Sequence, residues 1–430
     1  MMNSVSSIQK KMDWVLSEDV LGEILVRLPV KSLVRFRCVS KTWCDLINSP
    51  YFADMHLGHG KNHHHRPVLL VKRFIGDEKK ALLSFHSDIA VFGVAAAPDL
   101  KLPSPHPNTP IQLFGTCNGI VCIAELARSV YYHSDKDKIY LCNLATRQFL
   151  TPSPGHFGYP NGFEYSFTTS LGLGFDPSTR DYKLVKFVSY FSNEITTPPV
   201  IGVQIYQLRT NSWRNLGVTP TAITHPWPSQ NFPASILLNG SLIMHWCASH
   251  PVDDKTRRIL SFNMCIEAFQ NIEFPRDFKS IDTESNLSVL NDSLALILFK
   301  RRAFRQLQPP PPSDIQYDHS IDIWVMMEYG IKESWVKQYS IEPFSLLGHA
   351  PLRWTVPWSF WNDNILLLQS VNGYLISCSL KDNCCREICK YDIRRFGILE
   401  AIVYEETLVS FGGIGNGLYW RKIDGDSTWN

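Results

Sequence analysis

The sequence predicts an α+β chain in two unequal parts, a short helical module followed by a large all-β domain. Two observations set this division. Helical periodicity is confined to the first fifty residues, and from about residue 66 short apolar runs are broken by Gly, Pro, Asn and Asp. A third observation shapes the β part: its runs repeat.

In the helical module Ser17 is a fitting N-cap, with Glu18 and Asp19 in the first turn, where the helix dipole favours negative charge. Val20, Leu21, Ile24, Leu25 and Leu28 share one helical face, and Pro29 stops the helix. A second stretch carries Leu33, Val34 and Phe36. Ser40 caps a third, with Trp43, Leu46 and Ile47 on one side and Asn48-Ser49-Pro50 closing it. The expected boundaries are a disordered tail over 1–13, a three-helix module over 14–52 and a polar linker over 53–66. The linker holds His56, His59, His63, His64 and His65 without regular spacing, so it reads as solvated chain and no metal is assigned to it.

The all-β domain is expected over 67–425. Asn239-Gly240 and Asn372-Gly373 are hairpin turn signals, because both residue types tolerate positive φ. Tyr140–Phe149, Gln204–Trp213 and Leu260–Phe269 each read as a strand, a short polar turn and an aromatic that opens the next strand. A looser copy runs from Ile323 to Trp335 and a degenerate one over Ile376–Cys385. The period of roughly 50–65 residues, with about four strands in each, suits a propeller-like radial array of five or six irregular blades. Strands after Glu400 and those near Pro67–His86 would complete one blade jointly and so close the ring.

Composition excludes several function classes. The 430 residues carry a net charge of only +2, with 44% hydrophobic side chains, so nothing calls for nucleic acid or an anionic membrane as partner. No run approaches the 18–20 apolar residues of a membrane span, and the lysines near the start have no apolar run behind them to make a secretory signal. The 11 cysteines are scattered, which suits reduced thiols and a cytoplasmic or nuclear location. Cys378, Cys384, Cys385 and Cys389 cluster without paired Cys-x-x-Cys spacing and read as separate thiols in strands, with no zinc. No phosphate-binding loop, dinucleotide fingerprint or nucleophile motif is present, so no cofactor and no catalytic residue is expected.

Function is carried by two segments. Leu16–Phe52 holds more large apolar side chains than so small a module can bury, and every charge between Ile24 and Cys44 is positive: Arg27, Lys31, Arg35, Arg37 and Lys41. An apolar surface with a basic rim is a docking site for an acidic partner. In the β domain, residues 300–313 lie between two strands of one repeat and combine Arg301, Arg302, Phe304 and Arg305 with a proline run, which suits an acidic target. The loops His156–Ser166 and Thr219–Phe232 are further candidates.

The run LSEDVLGEILVRLPVKSLVRFRCVSKTWCDLINSPYF closely resembles the F-box, with Ser17 where that family usually has Pro. The resemblance implies docking to a Skp-type adaptor and, through it, to the cullin and RING subunits of a ubiquitin ligase. The contacts it implies are Leu16, Leu21, Ile24, Leu25, Leu28, Pro29, Val30, Leu33, Phe36 and Trp43. The remainder resembles the plant F-box-associated, F-box/kelch-type domain through Gly115–Cys122, Cys142–Arg147, Gly174–Lys183, Tyr206–Trp213, Leu237–Gly240, His245-Trp246 and Asp322–Trp335. That implies a protein-recognition domain without chemistry of its own, and so a substrate receptor. The chain is also similar to pollen S-locus F-box proteins, whose targets are self-incompatibility ribonucleases. A propeller hydrolase or lyase, or a non-degradative scaffold, would be the alternatives of another class.

Overall fold

The computed structural model describes residues 17–62, 68–75, 80–86, 100–101, 111–126, 137–153, 155, 158, 160–194, 200–218, 236–238, 243–248, 258–276, 278, 283–300, 321–341, 355–370, 374–390, 400–411, 418–423 and 426–429. They fall into two units, Met1–His65 with Thr407–Ser410, and Arg66–Glu406 with Phe411–Asn430. The short segment 407–410 therefore departs from the single β span expected over 67–425.

The first unit has four helices rather than three: α1 (Glu18–Leu25), α2 (Val30–Phe36), α3 (Lys41–Asn48) and α4 (Pro50–Asn62). Ser17 and Ser40 cap as expected, their hydroxyls accepting from Val20 N at 3.4 Å and Trp43 N at 3.2 Å. The linker expected over 53–66 is helical as far as Asn62. The reason lies in Ser49-Pro50: the Ser49 hydroxyl accepts from Phe52 N at 3.1 Å, and Pro50 occupies the first helical position, where no amide donor is missed. The pair that ends α3 also starts α4. His56 is correspondingly buried rather than solvated, with a ring nitrogen 2.9 Å from the Leu28 carbonyl oxygen. Residues 63–66 lie outside the described residues.

The second unit is a ring of antiparallel sheets. Its chain begins with β1 (Val68–Ile75), β2 (Lys80–His86) and β3 (Leu100–Lys101), then forms β4 (Ile111–Cys117), β5 (Ile120–Glu125), β6 (Lys138–Asn143) and β7 (Gln148–Leu150). The next blade is β8 (Tyr165–Asp176), β9 (Asp181–Phe191), β10 (Val200–Gln207) and β11 (Ser212–Val218). After it come β12 (Ile236–Leu238), β13 (Ile243–Ala248), β14 (Arg258–Asn263) and β15 (Ala268–Glu273). Then follow β16 (Thr283–Leu290), β17 (Ser293–Lys300), β18 (Ile321–Met326) and β19 (Trp335–Ile341). The last full meander is β20 (Thr355–Asn362), β21 (Ile365–Ser370), β22 (Tyr374–Ser379) and β23 (Cys384–Lys390). The described chain ends with β24 (Glu400–Tyr404), β25 (Leu418–Ile423) and β26 (Asp426–Trp429).

Five of the resulting sheets have four strands and one has six. Packing runs from sheet to sheet in a closed circuit through the first strands: β24 on β4, β4 on β8, β8 on β13, β12 and β13 on β16, β16 on β20, and β20 on β24. Among the described residues six sheets thus form the ring. It closes as the sequence suggests, because β24 supplies the innermost strand of the sheet whose other strands are β1, β2 and β3, with Val68 opposite Tyr404 and Lys72 opposite Glu400. The repeated segments are the third and outer strands of successive blades, β6–β7, β10–β11, β14–β15, β18–β19 and β22–β23.

The turns between these strands explain why the repeat is legible. Asn143 Oδ1 accepts from Ala145 N and Thr146 N, and Asn263 Oδ1 from Cys265 N and Ile266 N. Asp176 does the same for Ser178 N and Thr179 N between β8 and β9. Each turn then ends on a left-handed residue, Arg147, Glu267 or Arg180. Asn239-Gly240 and Asn372-Gly373 lie outside the described residues. One thiol expectation is overturned: Cys378 and Cys385 form a disulfide, because the β22–β23 register sets them directly opposite each other. Sequence spacing alone does not reveal that register.

Candidate docking surface

In the helical unit the ten residues singled out as adaptor contacts divide by burial. Leu21, Leu25, Val30 and Leu33 are buried, together with Val26, Ile47, Phe52 and Ala53. They hold the helices together within the chain. Ile24 is 48% exposed, Pro29 is exposed, and Leu28, Phe36 and Trp43 are half-buried. Leu16 lies outside the described residues. The division follows from helix geometry: Ile24 lies one turn from Val20, which is 46% exposed, while Leu21 and Leu25 form the neighbouring stripe that faces inward.

Val20 and Ile24 thus make an apolar stripe along the open side of α1. The edge-on pair Phe36 and Trp43, with ring centroids 5.6 Å apart, links the end of α2 to α3, and exposed Val39 lies between them in sequence. Arg27, Lys31, Arg35 and Lys41 are exposed on the same helices and their connections. Sequence reasoning missed Val20, Val39 and Tyr51 as exposed apolar groups. A helical-wheel count would have found Val20, whereas Tyr51 needed the unpredicted α4 to place it.

The ring has two unlike rims. On one, consecutive strands are joined by short turns at 118–119, 144–147, 177–180, 208–211, 291–292, 363–364 and 380–383. On the other are the strand ends that bracket the longer sequence connections, among them Glu125 and Lys138, Phe191 and Val200, Ala248 and Arg258, and Lys300 and Ile321. The chain enters the ring at Val68 and completes its last inner strand at Tyr404, both at the short-turn rim, where Tyr404 Oη accepts from Ala145 N at 3.1 Å. Arg301, Arg302, Phe304 and Arg305 lie outside the described residues, but the strand ends that bracket them, Lys300 and Ile321, are on the long-connection rim. Parts of 156–166 and all of 219–232 are likewise not described.

Bonds from blade to blade knit the short-turn rim. Asn118 Nδ2 donates to Tyr182 Oη at 3.3 Å and Asn291 N to Asp363 Oδ1 at 3.0 Å, while at the far end of β15 Trp335 Nε1 donates to the Glu273 carbonyl at 2.9 Å. The densest knot joins the β8–β11 and β12–β15 blades. Lys183 Nζ lies 2.7 Å from Asp176 Oδ2, 2.9 Å from Glu267 Oε1 and 2.7 Å from the Met264 carbonyl oxygen, and Arg214 pairs with Glu267. Gly174 permits this approach, since a Cβ there would stand 2.5 Å from Met264 Cε.

Burial by itself would raise the Asp176 carboxyl. Hydrogen bonds from Lys183, Ser178, Cys265 and Thr179 outweigh it and hold Asp176 far below the usual carboxylate range. Burial opposes the charge on Lys183 too, yet its bonds to Asp176 and Glu267 raise it above the ordinary lysine value. Both groups stay charged and satisfied, which suits a clamp between blades. Among the described residues no group of three or more His, Cys, Asp or Glu is placed to hold a metal.

Two family comparisons fit this architecture. Residues 15–54 match the F-box domain, and residues 80–400 match the F-box associated beta propeller domain. The chain belongs to the F-box-associated β-propeller family. Relatives in Arabidopsis thaliana include F-box protein CPR1, 25% identical over 75% of this chain and 72% of its own length. F-box/kelch-repeat protein At3g23880 is 26% identical over 75% of this chain and 78% of its own. A solved α-L-arabinofuranosidase from Fusarium graminearum aligns over 65% of this chain and 80% of its own, with 10% identity and a TM-score of 0.42. In this F-box protein the union of docking module and propeller supports a general substrate-recognition role in a Skp–cullin–F-box ligase, and the F-box implies a Skp-type adaptor as partner. The family suggests a non-catalytic subunit.

Proposed function

We propose that this chain is the target-binding subunit of a Skp–cullin–F-box ubiquitin ligase, docking its adaptor through Val20, Ile24, Leu28, Pro29, Phe36, Val39 and Trp43. The observation that carries the reading is the exposed Val20–Ile24 stripe, left open by a unit that buries Leu21, Leu25 and Leu33. The surrounding arginines and lysines would steer an acidic adaptor surface and set its register. The long-connection rim, including Arg301, Arg302, Phe304 and Arg305, would then capture an acidic target. Catalysis would come from proximity, with the complex raising the effective concentration of a target lysine beside a charged conjugating enzyme.

Ile24→Asp should weaken adaptor binding at least 100-fold, about 3 kcal/mol, in titration calorimetry, while Ile24→Leu retains it and both variants keep the helical circular dichroism signal. Undiminished binding by the aspartate variant defeats the docking assignment. Arg301→Glu with Arg305→Glu should leave adaptor affinity unchanged and abolish target ubiquitylation in a reconstituted ligase.

A further inference from the structure

The third and outer strands of a blade are joined by four residues at 144–147, 208–211, 264–267 and 380–383, but between β18 and β19 the connection runs over eight, 327–334. The extra length is not slack. Met327 N donates to the Ser334 carbonyl and Ile331 N to the Glu328 carbonyl, each at 3.1 Å. The Ser334 hydroxyl donates to the carbonyls of Glu328 and Ile331 at 2.8 and 2.7 Å. Gly330 takes a φ of +82°, which glycine adopts without strain.

The neighbouring blade fixes the loop from outside as well. Tyr329 Oη and Ser261 Oγ are 2.7 Å apart, Lys332 pairs with Glu273, and Arg276 pairs with Glu333 at 2.7 Å. The β18–β19 loop is thus held by bonds within itself and by bonds to β14, β15 and the chain just after β15.

Despite this anchoring, the loop turns apolar groups to solvent. Met327 is 59% exposed, Ile331 49% and Tyr329 36%. Of the six large apolar side chains that the ring exposes among the described residues, these three share one loop, so the exposure is concentrated rather than scattered. A loop already fixed in place loses little conformational freedom when a partner lands on it.

The charges of the loop say what would cover it. Lys332 and Glu333 are matched by Glu273 and Arg276. Glu328, exposed between Met327 and Tyr329, has no ion pair and no side-chain hydrogen bond among the described residues. Apolar groups therefore surround one uncompensated negative charge. Its complement is a cation carried among aliphatic side chains, because the methylene stem of a Lys or Arg covers apolar surface while its head reaches the carboxylate.

We propose that the β18–β19 loop is a docking surface for a partner-protein segment in which a Lys or Arg lies between aliphatic residues. Met327, Tyr329 and Ile331 take the aliphatic groups, and Glu328 takes the cation. The preference is opposite in sign to that of the acidic target proposed for Arg301, Arg302 and Arg305, so the loop is a second recognition surface. It goes beyond the ligase reading and does not rest on it, since the test involves no adaptor.

The test selects a phage-displayed library of random peptides on the full-length chain, with Ile331→Asp as the counter-selecting bait. Peptides retained by wild type alone should be rich in Lys or Arg flanked by Leu, Ile, Val or Met. A synthetic copy of one should bind Glu328→Lys about ten-fold more weakly than wild type in an anisotropy titration. Exchanging its cation for Glu should restore binding to Glu328→Lys. Leu216→Asp, at an exposed apolar position on another blade, should bind as wild type does. Both loop positions are exposed, so the two loop variants should melt as wild type does. A library that yields no peptide separating wild type from Ile331→Asp overturns the proposal. So does a selected pool without the charge preference, a failed charge exchange, or an equal loss in Leu216→Asp.

Discussion

The two units handle surplus side chains in opposite ways. The helical unit is too small to enclose all its apolar groups, so it buries one stripe of α1 and leaves Val20 and Ile24 in solvent. The ring has volume to spare and uses it to enclose charge: Asp176 and Lys183 are both buried, paired with each other and bonded further to Ser178, Thr179 and Met264. The contrast teaches that a unit too small to bury its apolar groups shows them to solvent, while one with a large interior can bury ions that fasten its blades. A buried ion pair invites a catalytic reading. Here its partners lie on the neighbouring blade's turn, so it fastens rather than reacts.

That contrast can be broken most severely at the clamp. Asp176→Ala leaves Lys183 with Glu267 and the Met264 carbonyl and should cost about 3–5 kcal/mol in chemical denaturation, the usual penalty for removing one partner of a buried ion pair. The same pair predicts a pH dependence. Asp176 and Glu267 titrate lower in the folded chain than unfolded, so their stabilisation is complete above the ordinary carboxylate values of about 4 and is lost as pH falls through the depressed ones. Lys183 titrates higher when folded, so its share is present below the ordinary lysine value and lost as pH rises through the raised one. Melting curves between pH 7 and pH 3 should therefore fall more steeply for wild type than for Asp176→Asn.

In the helical unit, Leu33→Ala should cost about 2–5 kcal/mol of stability through the cavity it leaves. The exposed Ile24→Ala should change stability by less than about 0.5 kcal/mol while still weakening the adaptor complex. If both lose stability alike, Ile24 belongs to the core and the division by burial is wrong. A substitution at the α4 cap sharpens the unit's boundary. Ser49→Ala should cost about 1 kcal/mol by removing the α4 cap, and thermal unfolding of wild type against variant would reveal it.

Much of this was legible in the chain. The caps at Ser17 and Ser40, the aromatic anchors Phe149, Trp213, Phe269 and Trp335, and the shared closing blade all follow from local rules that a single sequence obeys. Ser49-Pro50 was read only as the end of α3, although a capping hydroxyl before proline starts a helix as readily as it ends one. The exposed apolar stripe was read only in part: periodicity placed Leu21, Ile24 and Leu25 on one broad face without saying which edge of that face is covered.

What the sequence determined by itself was the pairing of a small helical docking module with a repeated β-array, because periodicity, turn chemistry and surplus apolar residues are local properties. Tertiary structure alone decided which apolar residues remain outside, that Cys378 meets Cys385 across the β22–β23 register, that Lys183 meets Glu267 across a blade boundary, and that Leu418 and Tyr419 pair with β7. Each depends on strand register or on packing between segments distant in sequence. A one-residue shift in either would exchange inside for outside while leaving the local pattern intact.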